Sequence, residues 1–340
     1  MRVLIIGGTG TISLSVVREL VRQGKQVSVL NRGKSNSLLP AEVETIRTDI
    51  HDEEGTKALL AGRTFDCVCQ FTNFLPEDCE RDIRLFAGRT SQYIYISSAS
   101  AYHKPLHTPW ITESTPLHNP YWAYSRNKAA SEALLFAAYR EQGFPVTVVR
   151  PSHTYDERKI PVAIHGDKGS MQVVRRILEG KPVLLPGDGT SLWTLTYASD
   201  FAVGFAGLVG NRKALGEAVH ITGDDVRSWN EYHEILASAL GRKLIPYHVS
   251  SDFLAKAGEK MGYDLEGGLL GDKAESVLFD NSKLKRLVPE MCTRVWFEEG
   301  AERFARRLKD HPEMLEETDP VFDAWCDRVI AAQEEALLHV

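Results

Sequence analysis

The feature that constrains this chain most is a glycine cluster that follows a short apolar run at the start of the sequence. Four apolar residues, Val3–Ile6, lead directly into Gly7, Gly8 and Gly10, and residues 11–23 then carry apolar side chains at helical spacing. Glycines between a buried strand and a helix allow a tight turn and a close approach of backbone N–H groups to a ligand. Because the N-terminus of a helix favours negative charge, this arrangement predicts a binding site for the pyrophosphate of a dinucleotide.

Four residues of this loop are assigned to the cofactor, namely Gly7, Gly10, Thr11 and Ile12. A lone glycine triplet is weak evidence, but one that lies between a strand and an amphipathic helix is specific for a nucleotide site. A third glycine is usual in this motif, and Ser13 stands there instead. Its small side chain still allows the helix to pack closely on the strand.

The end of the second predicted strand bears on the choice between NAD and NADP. An acidic residue at this point hydrogen-bonds the ribose 2′-hydroxyl of NAD, whereas an arginine accommodates the 2′-phosphate of NADP. The strand ends in Asn31, Arg32, Gly33 and Lys34, with two cations and no carboxylate. We therefore expect NAD(P) as the cofactor and favour NADP, with Asn31 and Arg32 at the ribose. The residues predicted to flank the adenine are Asp49 and Ile50.

Short apolar runs alternate with amphipathic helical stretches through the first 150 residues. The predicted strands are Val3–Ile6, Val27–Leu30, Thr45–Arg47, Asp66–Phe71, Tyr93–Ile96 and Val146–Val149. The predicted helices of this part cover residues 11–23, 78–87 and 121–142. Strands and helices that alternate in this way predict an α/β fold, a Rossmann-type doubly wound parallel sheet with right-handed crossovers.

After Pro151 the alternation weakens, and we predict a smaller α+β lobe that binds the substrate at the carboxyl edge of the sheet. Its predicted elements are helices over 168–180, 199–209, 229–240, 250–262 and 296–308 and a strand at Val183–Leu185. The expected division is an NAD(P)-binding Rossmann domain over 1–165, a substrate lobe over 166–310 and a C-terminal helical tail over 311–340. The chain is expected to return to the sheet near residues 195–222.

Composition argues against several classes of protein. The 340 residues carry a formal net charge of −6, which argues against binding nucleic acid through bulk positive charge. No apolar run approaches the roughly 18 residues of a membrane span. Five cysteines without a C-x-x-C pair are typical of reduced thiols, and the first apolar stretch is too short for a signal peptide, so we expect a cytoplasmic protein. His103 and His107 are four residues apart, but Pro105 between them disfavours a helix, and we expect no metal site.

A tyrosine and a lysine lie four residues apart at the start of the long predicted helix. Tyr124 and Lys128 would share one helical face, and a nearby ammonium is expected to lower the pKa of the phenol so that it can act as a base near neutral pH. The preceding strand runs into Ser97-Ser98-Ala99-Ser100, which places hydroxyl groups at the carboxyl edge of the sheet. This position, more than the spacing alone, predicts that these side chains meet in a crevice.

Taken together, these motifs resemble the extended short-chain dehydrogenases and reductases, the NAD-dependent epimerase/dehydratase family. The resemblance runs from residue 1 to about 290. It covers the glycine loop, Ser98, Tyr124-x-x-x-Lys128, Arg150-Pro151-Ser152-x-x-Tyr155, Gly187-Asp188-Gly189, Tyr197-Ala198-Ser199-Asp200 and Phe279-Asp280-Asn281-Ser282-Lys283. It implies that Tyr124 is the catalytic base, that Lys128 holds the nicotinamide ribose, and that Ser98 hydrogen-bonds the reacting oxygen. Ser97 and Ser100 remain alternatives for that last role, and Pro151 is expected to contact the cofactor.

The chain departs from the family at three places. Dehydratases of this family have an Asp-Glu pair after the hydroxyl residue, and Ala99-Ser100 stands there, which argues against a dehydratase. The fourth strand ends in Gln70-Phe71-Thr72-Asn73-Phe74, without the small residues that are usual there. Trp193 stands where sugar-nucleotide enzymes commonly have an arginine, so the substrate lacks a standard nucleoside diphosphate or is held by another cation. The candidates for such a cation are Arg175, Arg176 and Lys285, and the residues assigned to the substrate are Ser100, His153 and Trp193.

Three functions follow, in order of preference. The first is an NAD(P)-dependent epimerase of a sugar or nucleotide sugar, in which Tyr124 takes a hydroxyl proton and a keto intermediate is reduced on its other face. The second is an NADPH-dependent reductase of a keto-sugar or another carbonyl compound that uses the same residues. The third is a non-catalytic nucleotide- or RNA-binding relative, which the intact Ser–Tyr–Lys set disfavours. We expect a small sugar or nucleotide sugar as the partner, rather than nucleic acid or a membrane, and the resemblance suggests a homodimer.

Overall fold

The computed structural model describes all residues 1–340, and strands and helices alternate through their first part. In chain order this part comprises β1 (Arg2–Ile6), α1 (Thr11–Arg22), β2 (Gln26–Asn31), β3 (Glu44–Arg47), α2 (Glu53–Leu59), β4 (Cys67–Gln70), α3 (Pro76–Phe86), β5 (Tyr93–Ile96), β6 (Trp110–Ile111), α4 (Ala123–Gln142) and β7 (Val146–Pro151). All of these strands except β6 join one parallel sheet in the order β7-β5-β4-β1-β2-β3. The predicted α/β fold with a parallel sheet is confirmed.

The second half of the chain consists of shorter elements. They are β8 (His153–Tyr155), α5 (Met171–Glu179), β9 (Val183–Pro186), β10 (Leu192–Tyr197), α6 (Ala198–Leu208), β11 (Ala218–Ile221), β12 (Val226–Ser228), α7 (Trp229–Ala239), β13 (Pro246–Val249), α8 (Ser251–Glu259), β14 (Leu278–Phe279), α9 (Ser282–Leu287), α10 (Phe297–Asp310) and α11 (Pro320–Leu337). A π-helical segment, Glu266–Lys273, lies between α8 and β14. The short sheets β12-β10-β8, β13-β9 and β14-β6 make this part a smaller α+β lobe.

Helices cover both faces of the parallel sheet. On one face, α1 and α6 pack together and against strand residues such as Val3 and Ile5. On the other face, α3 and α4 bury Leu4 and Ile6. Because both faces are covered at the centre of the sheet, β1, β4 and β5 are buried and largely apolar, and this is why they can be recognised in the sequence as apolar runs.

The chain returns to the sheet after it has left it. Helix α6 lies beside α1, and β11 pairs with β7 to become the seventh strand, at the edge of the sheet. Residues 195–222 were expected to return to the parallel sheet. Strand β10 overlaps the start of this stretch, but it pairs with β8 and β12 in the smaller lobe instead. The domain boundaries given from the sequence stay a prediction.

Two differences from the predicted elements have local causes. Helix α4 begins at Ala123 rather than at residue 121, because Trp122 has the extended backbone angles φ −131° and ψ 116°. Helix α2 has no predicted counterpart. It buries Thr56 alone, so it has no apolar face that a periodic pattern could reveal, and its N-terminus is capped by Asp52, which accepts the Gly55 N–H at 3.0 Å.

No helix of the structure is both long enough and apolar enough to cross a bilayer. All five cysteines are free. Four of them, Cys67, Cys69, Cys79 and Cys326, are buried, and Cys292 is exposed. The expectation of reduced thiols stays a prediction.

A neutral histidine is buried in the lobe. His233 on α7 lies with its Nδ1 2.8 Å from the Trp229 carbonyl oxygen, and its Nε2 accepts the Ala163 N–H at 3.4 Å. One donor and one acceptor fit the neutral imidazole, and burial lowers the pKa of His233 to about 4. The unfolded chain therefore binds a proton on this residue between pH 6.5 and pH 4 that the folded chain does not bind.

This difference predicts a pH dependence of stability. As the pH falls from 6.5 to 4, the contribution of His233 should lower the free energy of unfolding by about 3 kcal/mol, since each pKa unit corresponds to about 1.4 kcal/mol. Urea unfolding over this pH range measures the effect. His233→Gln should lose this part of the pH dependence, and the control His339→Gln, at an exposed position near the C-terminus, should keep it. An unchanged pH dependence in His233→Gln would contradict the assignment.

Candidate active site

The loop between β1 and α1 has a backbone conformation that glycine adopts readily and other residues rarely adopt. Gly7 and Gly8 have φ angles of 107° and 82°. A Cβ atom on Gly8 would lie 2.7 Å from Cγ1 of Val29, so any side chain there would push against β2. Ser13 is buried, and its Oγ accepts the Gly10 N–H at 3.0 Å, which keeps the first turn of α1 close to the loop. A side-chain-free loop at a helix N-terminus fits a pyrophosphate.

A cavity of about 490 Å³ opens beside this loop, where β1, β2 and β3 end. The predicted cofactor residues that line it are Gly7, Asn31, Arg32, Asp49 and Ile50. The side-chain amide of Asn31 is already engaged, since its Nδ2 donates to the Gly7 carbonyl at 3.1 Å and its Oδ1 accepts the Gly33 N–H at 2.8 Å. Asn31 therefore shapes the loop, and Arg32 is the neighbour that is left to meet a ligand.

Three cations surround Gly33 at the rim of this cavity. Arg32 and Lys34 are exposed and line the cavity, and neither takes part in an ion pair. Arg47 reaches over from β3, and its Nε lies 3.0 Å from the position of a Cβ on Gly33. Asp49 is the one carboxylate that lines the cavity. The excess of positive charge suits a ligand with a phosphate group at this point.

The rest of the glycine loop faces the lobe. Gly10, Thr11 and Ile12 line a second cavity of about 440 Å³, which also touches His153 and Ile96. Pro151 is buried at the end of β7, two residues before His153. The second cavity therefore joins the predicted cofactor loop, the end of β5 and a predicted substrate residue.

Tyr124 lies in the first turn of α4, beside the rings of Trp122 and Phe74 at centroid distances of 5.0 and 6.3 Å. Burial raises the pKa of Tyr124, the nearby Ser98 hydroxyl partly opposes this, and the negative charge of Asp272 adds to it. The expectation that Lys128 lowers this pKa is wrong for this structure, because desolvation is the largest effect. The phenol is therefore protonated near neutral pH.

Lys128 lies one turn further along α4 and is almost completely buried. Its Nζ donates to the carbonyl oxygens of Asn73 at 2.6 Å and Ile96 at 2.8 Å, and it lies 5.7 Å from the centroid of the Tyr124 ring. Burial lowers the pKa of Lys128 to about 8. An ammonium has three N–H donors, so one remains for a ligand.

Three serine hydroxyls form a chain next to Tyr124. Ser125 Oγ donates to Ser100 Oγ at 2.8 Å, and Ser100 Oγ lies 2.9 Å from Ser98 Oγ. The Ser100 N–H also donates to Ser98 Oγ at 3.2 Å. Either hydroxyl of the Ser98–Ser100 pair can donate to the other; with Ser100 as the donor, the Ser98 hydroxyl accepts twice and keeps its own O–H to donate outward. Ser100, which was assigned to the substrate, lies buried behind Ser98 and orients it.

A buried ion pair lies behind this hydroxyl chain. Arg150 on β7 binds Glu132 on α4 through two nitrogens, with Nη2 at 2.6 Å and Nε at 2.9 Å, and both side chains are at least 96% buried. Ser97 Oγ donates to the same carboxylate at 2.5 Å. The alternative that Ser97 serves the substrate is therefore disfavoured, since its hydroxyl is 1% exposed and engaged with Glu132.

The structure brings one further carboxylate to the site that sequence reasoning missed. Asp272, at the end of the π-helical segment, is buried, and its Oδ2 lies 3.1 Å from Nε2 of His153. Its segment is held over the start of α4, because Asn119 Nδ2 donates both to the Gly271 carbonyl at 2.7 Å and to the Ser100 carbonyl at 2.8 Å. Nothing in the local sequence around Asp272 signals this position.

Trp193 does not line an open diphosphate site. Its indole is 3% exposed and stacks on Trp229 at a centroid distance of 6.2 Å, and His153 meets it edge-on at 5.6 Å. The cations proposed to replace the family's arginine are engaged elsewhere. Arg175 pairs with Glu179, Arg176 with Asp323 and Asp327, and Lys285 with Asp224.

The residues present fit a nicotinamide dinucleotide. A glycine cradle that a Cβ would fill lies at the N-terminus of α1, unpaired cations lie at the adenosine end, and Lys128 holds an unused N–H at the other end. No group of three or more histidine, cysteine, aspartate or glutamate side chains is arranged to hold a metal ion.

The chain is similar to a known protein family and to several known proteins. The model of the NAD dependent epimerase/dehydratase family matches residues 3–221. The chain is 28% identical over 295 residues to the 2′-dehydrokanamycin reductase of Streptomyces kanamyceticus, which covers 86% of this chain and 81% of that protein. It is 27% identical over 253 residues to the chloroplast stem-loop binding protein of 41 kDa b of Arabidopsis thaliana, which covers 71% of this chain and 63% of that protein.

Among solved structures, the dTDP-glucose 4,6-dehydratase of Bacillus anthracis in complex with NAD is similar in fold. The TM-score is 0.73 at 18% sequence identity, and the match covers 92% of this chain and 98% of that one. At this level of identity the likeness concerns the fold alone.

Proposed function

Because this chain belongs to the NAD-dependent epimerase/dehydratase family of extended short-chain dehydrogenase enzymes, we propose that it is a keto-sugar reductase that uses a nicotinamide cofactor. One observation carries the proposal: two O–H donors, Tyr124 and Ser98, lie together at the carboxyl edge of the sheet. Burial keeps the pKa of Tyr124 above its usual value, so the phenol is an acid near neutral pH. An acid suits the reduction of a ketone, whose oxygen must gain a proton.

Each residue of the set has one task in this reaction. The nicotinamide, when bound, supplies the hydride that reaches the carbonyl carbon. Tyr124 gives its proton to the carbonyl oxygen, Ser98 donates a hydrogen bond to the same oxygen, and the phenolate left on Tyr124 regains a proton from water. The ammonium of Lys128 would offer its third N–H to the cofactor.

The surroundings of Tyr124 and Ser98 favour a polyhydroxylated substrate without an anionic group. Asp272 and His153 place a hydrogen-bond acceptor and an imidazole near Tyr124, and a buried carboxylate would repel a phosphate or carboxylate group there. Trp193 packs against Trp229, in the place where an arginine would bind a diphosphate. The similarity to a protein named 2′-dehydrokanamycin reductase supports a keto group on a glycoside as the substrate.

An epimerase is the second candidate. The same three residues could serve an epimerase cycle, in which Tyr124 first removes a hydroxyl proton and later returns it. Ala99 and Ser100 leave no acid for the elimination step of a dehydratase, so the departure favours an epimerase over a dehydratase as the alternative. RNA binding is not proposed, although one relative is a stem-loop binding protein, because the net charge of −6 disfavours phosphate-backbone contacts.

Identification of the bound nucleotide tests this proposal. Freshly purified protein is denatured, and the released nucleotide and its redox state are identified by mass spectrometry. A reductase should exchange NADPH freely and oxidise it when a keto-glycoside is added. Near-stoichiometric nucleotide that survives purification, without net oxidation of added NADPH by carbonyl compounds, would favour the epimerase instead.

The preference for NADP, supported by the cations around Gly33, leads to a prediction for Arg32. Arg32→Ala should weaken NADPH binding by about tenfold and leave NADH binding unchanged, since one charge-assisted hydrogen bond to a phosphate is worth roughly 1.5 kcal/mol at an exposed site. Fluorescence titration of both reduced cofactors measures this. Arg22→Ala, at the far end of α1 with its side chain 70% exposed, is the matched control. Equal weakening of NADPH binding and NADH binding would contradict the role of Arg32.

The expected homodimer and the expected cytoplasmic location stay predictions.

A further inference from the structure

A buried polar cluster lies where β4 ends, at the point where the sequence departs from the family. Large polar residues stand here in place of small ones, and each is at least 95% buried. The members of the cluster are Gln70, Asn73, Arg81, Asp82 and Tyr93. No step of the proposed reaction uses them, although the cluster touches Lys128 through Asn73.

Asp82 is the centre of the cluster. Its Oδ2 accepts hydrogen bonds from Gln70 Nε2 at 2.7 Å, Asn73 Nδ2 at 2.9 Å and Tyr93 OH at 2.7 Å. Its Oδ1 accepts from Nε and Nη2 of Arg81 at 3.1 and 2.9 Å. With five donors, both oxygens of this fully buried carboxylate are satisfied, as a buried charge requires.

Asn73 is held at three points. Its Nδ2 donates to Asp82, its Oδ1 accepts from Arg81 Nη2 at 2.8 Å, and its backbone carbonyl accepts from Lys128 Nζ at 2.6 Å. Because both ends of the side-chain amide are fixed, the residue has little freedom to turn its carbonyl away from Lys128. The chain of contacts thus runs from Asp82 through Asn73 to the ammonium.

We propose that Asp82 and Asn73 are positioning residues, which fix the ammonium of Lys128 so that one N–H is left to face the ligand. This inference deepens the proposed function and rests on the role given there to Lys128. A buried ion pair contributes little net stability compared with apolar packing of the same volume. Stability alone therefore does not explain the buried polar cluster around Asp82. A role in fixing the position of the Lys128 ammonium does explain it.

The proposal can be tested without a substrate. An ammonium held by two carbonyls and shielded from water exchanges its protons slowly, so its Nζ–H cross-peak should persist in spectra of ¹⁵N-lysine-labelled protein at neutral pH. Loss of one cross-peak in Lys128→Arg identifies Lys128. Asn73→Ala keeps the carbonyl but removes the amide that holds it. This variant is gentler than a change at Asp82, which would take one of the two carboxylate partners from the buried Arg81 and leave it only Asp78.

The matched control is Tyr93→Phe, which removes one of the three hydrogen bonds to Asp82 Oδ2 and leaves every contact of Asn73 in place. The buried Lys273, whose Nζ donates to the Gly268 carbonyl at 3.3 Å, serves as an internal reference. We expect Asn73→Ala to increase the proton-exchange rate of the Lys128 ammonium by at least about tenfold, because roughly one hydrogen bond to a charged group is lost. We expect Tyr93→Phe to leave this rate unchanged.

Unchanged exchange in Asn73→Ala would overturn the proposal. Faster exchange in both variants would also overturn it, because the cluster would then act through general stability. Far-UV circular dichroism and thermal unfolding confirm that each variant is folded. Since the cross-peak is read on protein without added substrate, a failure of the reductase assay leaves this result interpretable.

Discussion

Replacement of Tyr124 by phenylalanine should lower kcat by about 10²- to 10⁴-fold, the range that a positioned general acid contributes. The ring and its contacts with Trp122 and Phe74 are kept, and only the hydroxyl that donates the proton is lost. The dissociation constant of NADPH should stay the same, because Lys128 keeps its two carbonyl partners. Turnover of the fastest keto-glycoside found with the wild type, together with fluorescence titration of NADPH, measures both quantities.

Tyr139→Phe is the matched control for this change. Tyr139 lies on the same helix, is 38% exposed and makes no side-chain hydrogen bond, so its hydroxyl should be dispensable. Full turnover in Tyr124→Phe would refute the assignment of the proton donor. A joint loss of turnover and of NADPH affinity would point to a disturbed site rather than to the missing proton.

The second large effect concerns stability. Glu132→Gln should lower the free energy of unfolding by about 3–5 kcal/mol, because the guanidinium of Arg150 would be left buried without a countercharge. The same carboxylate accepts the Ser97 hydroxyl, and Arg150 also stacks on the Tyr102 ring at 4.9 Å, so the defect lies between α4 and β7 in the centre of the molecule. Urea unfolding at neutral pH measures the difference.

An exposed pair provides the comparison for this prediction. Glu299 and Arg303 form an i,i+4 ion pair on α10 with side chains 50% and 38% exposed, and Glu299→Gln should cost no more than about 0.5 kcal/mol. If Glu132→Gln and Glu299→Gln lower the free energy of unfolding by the same amount, Glu132 would not be the countercharge on which the buried Arg150 depends.

Local patterns explain why most of the fold and the centre of the site could be predicted from the sequence. The central strands of the sheet are buried on both faces and so form apolar runs, and the glycine loop follows the first of them directly. Tyr124 and Lys128 are one helical turn apart, and Ser98 follows the strand before them, so each has a signal within a few residues. The geometry of the sheet then brings these segments together.

The residues that were missed depend on contacts distant in sequence. Asp272 meets His153 across 119 positions, and neither short-range periodicity nor spacing can reveal such a pair. The raised pKa of Tyr124 was missed for a related reason, because the degree of burial depends on how the lobe closes over α4. The polar residues at the end of β4 were noted as a departure from the family pattern. Their hydrogen-bond partner, Asp82, lies on α3, so their role could not be recognised from the sequence around β4.

The edge strand β11 has a consequence for how the protein is synthesised. Strand β7, whose six residues are all buried, pairs with β5 on one side and with β11 on the other. The ribosome must add residues 152–217 before β11 emerges, which takes on the order of seconds. During that time the nascent chain presents one edge of this six-residue strand with unpaired N–H and C=O groups, a template for association with other chains. Completion of the parallel sheet thus waits for the translation of much of the smaller lobe.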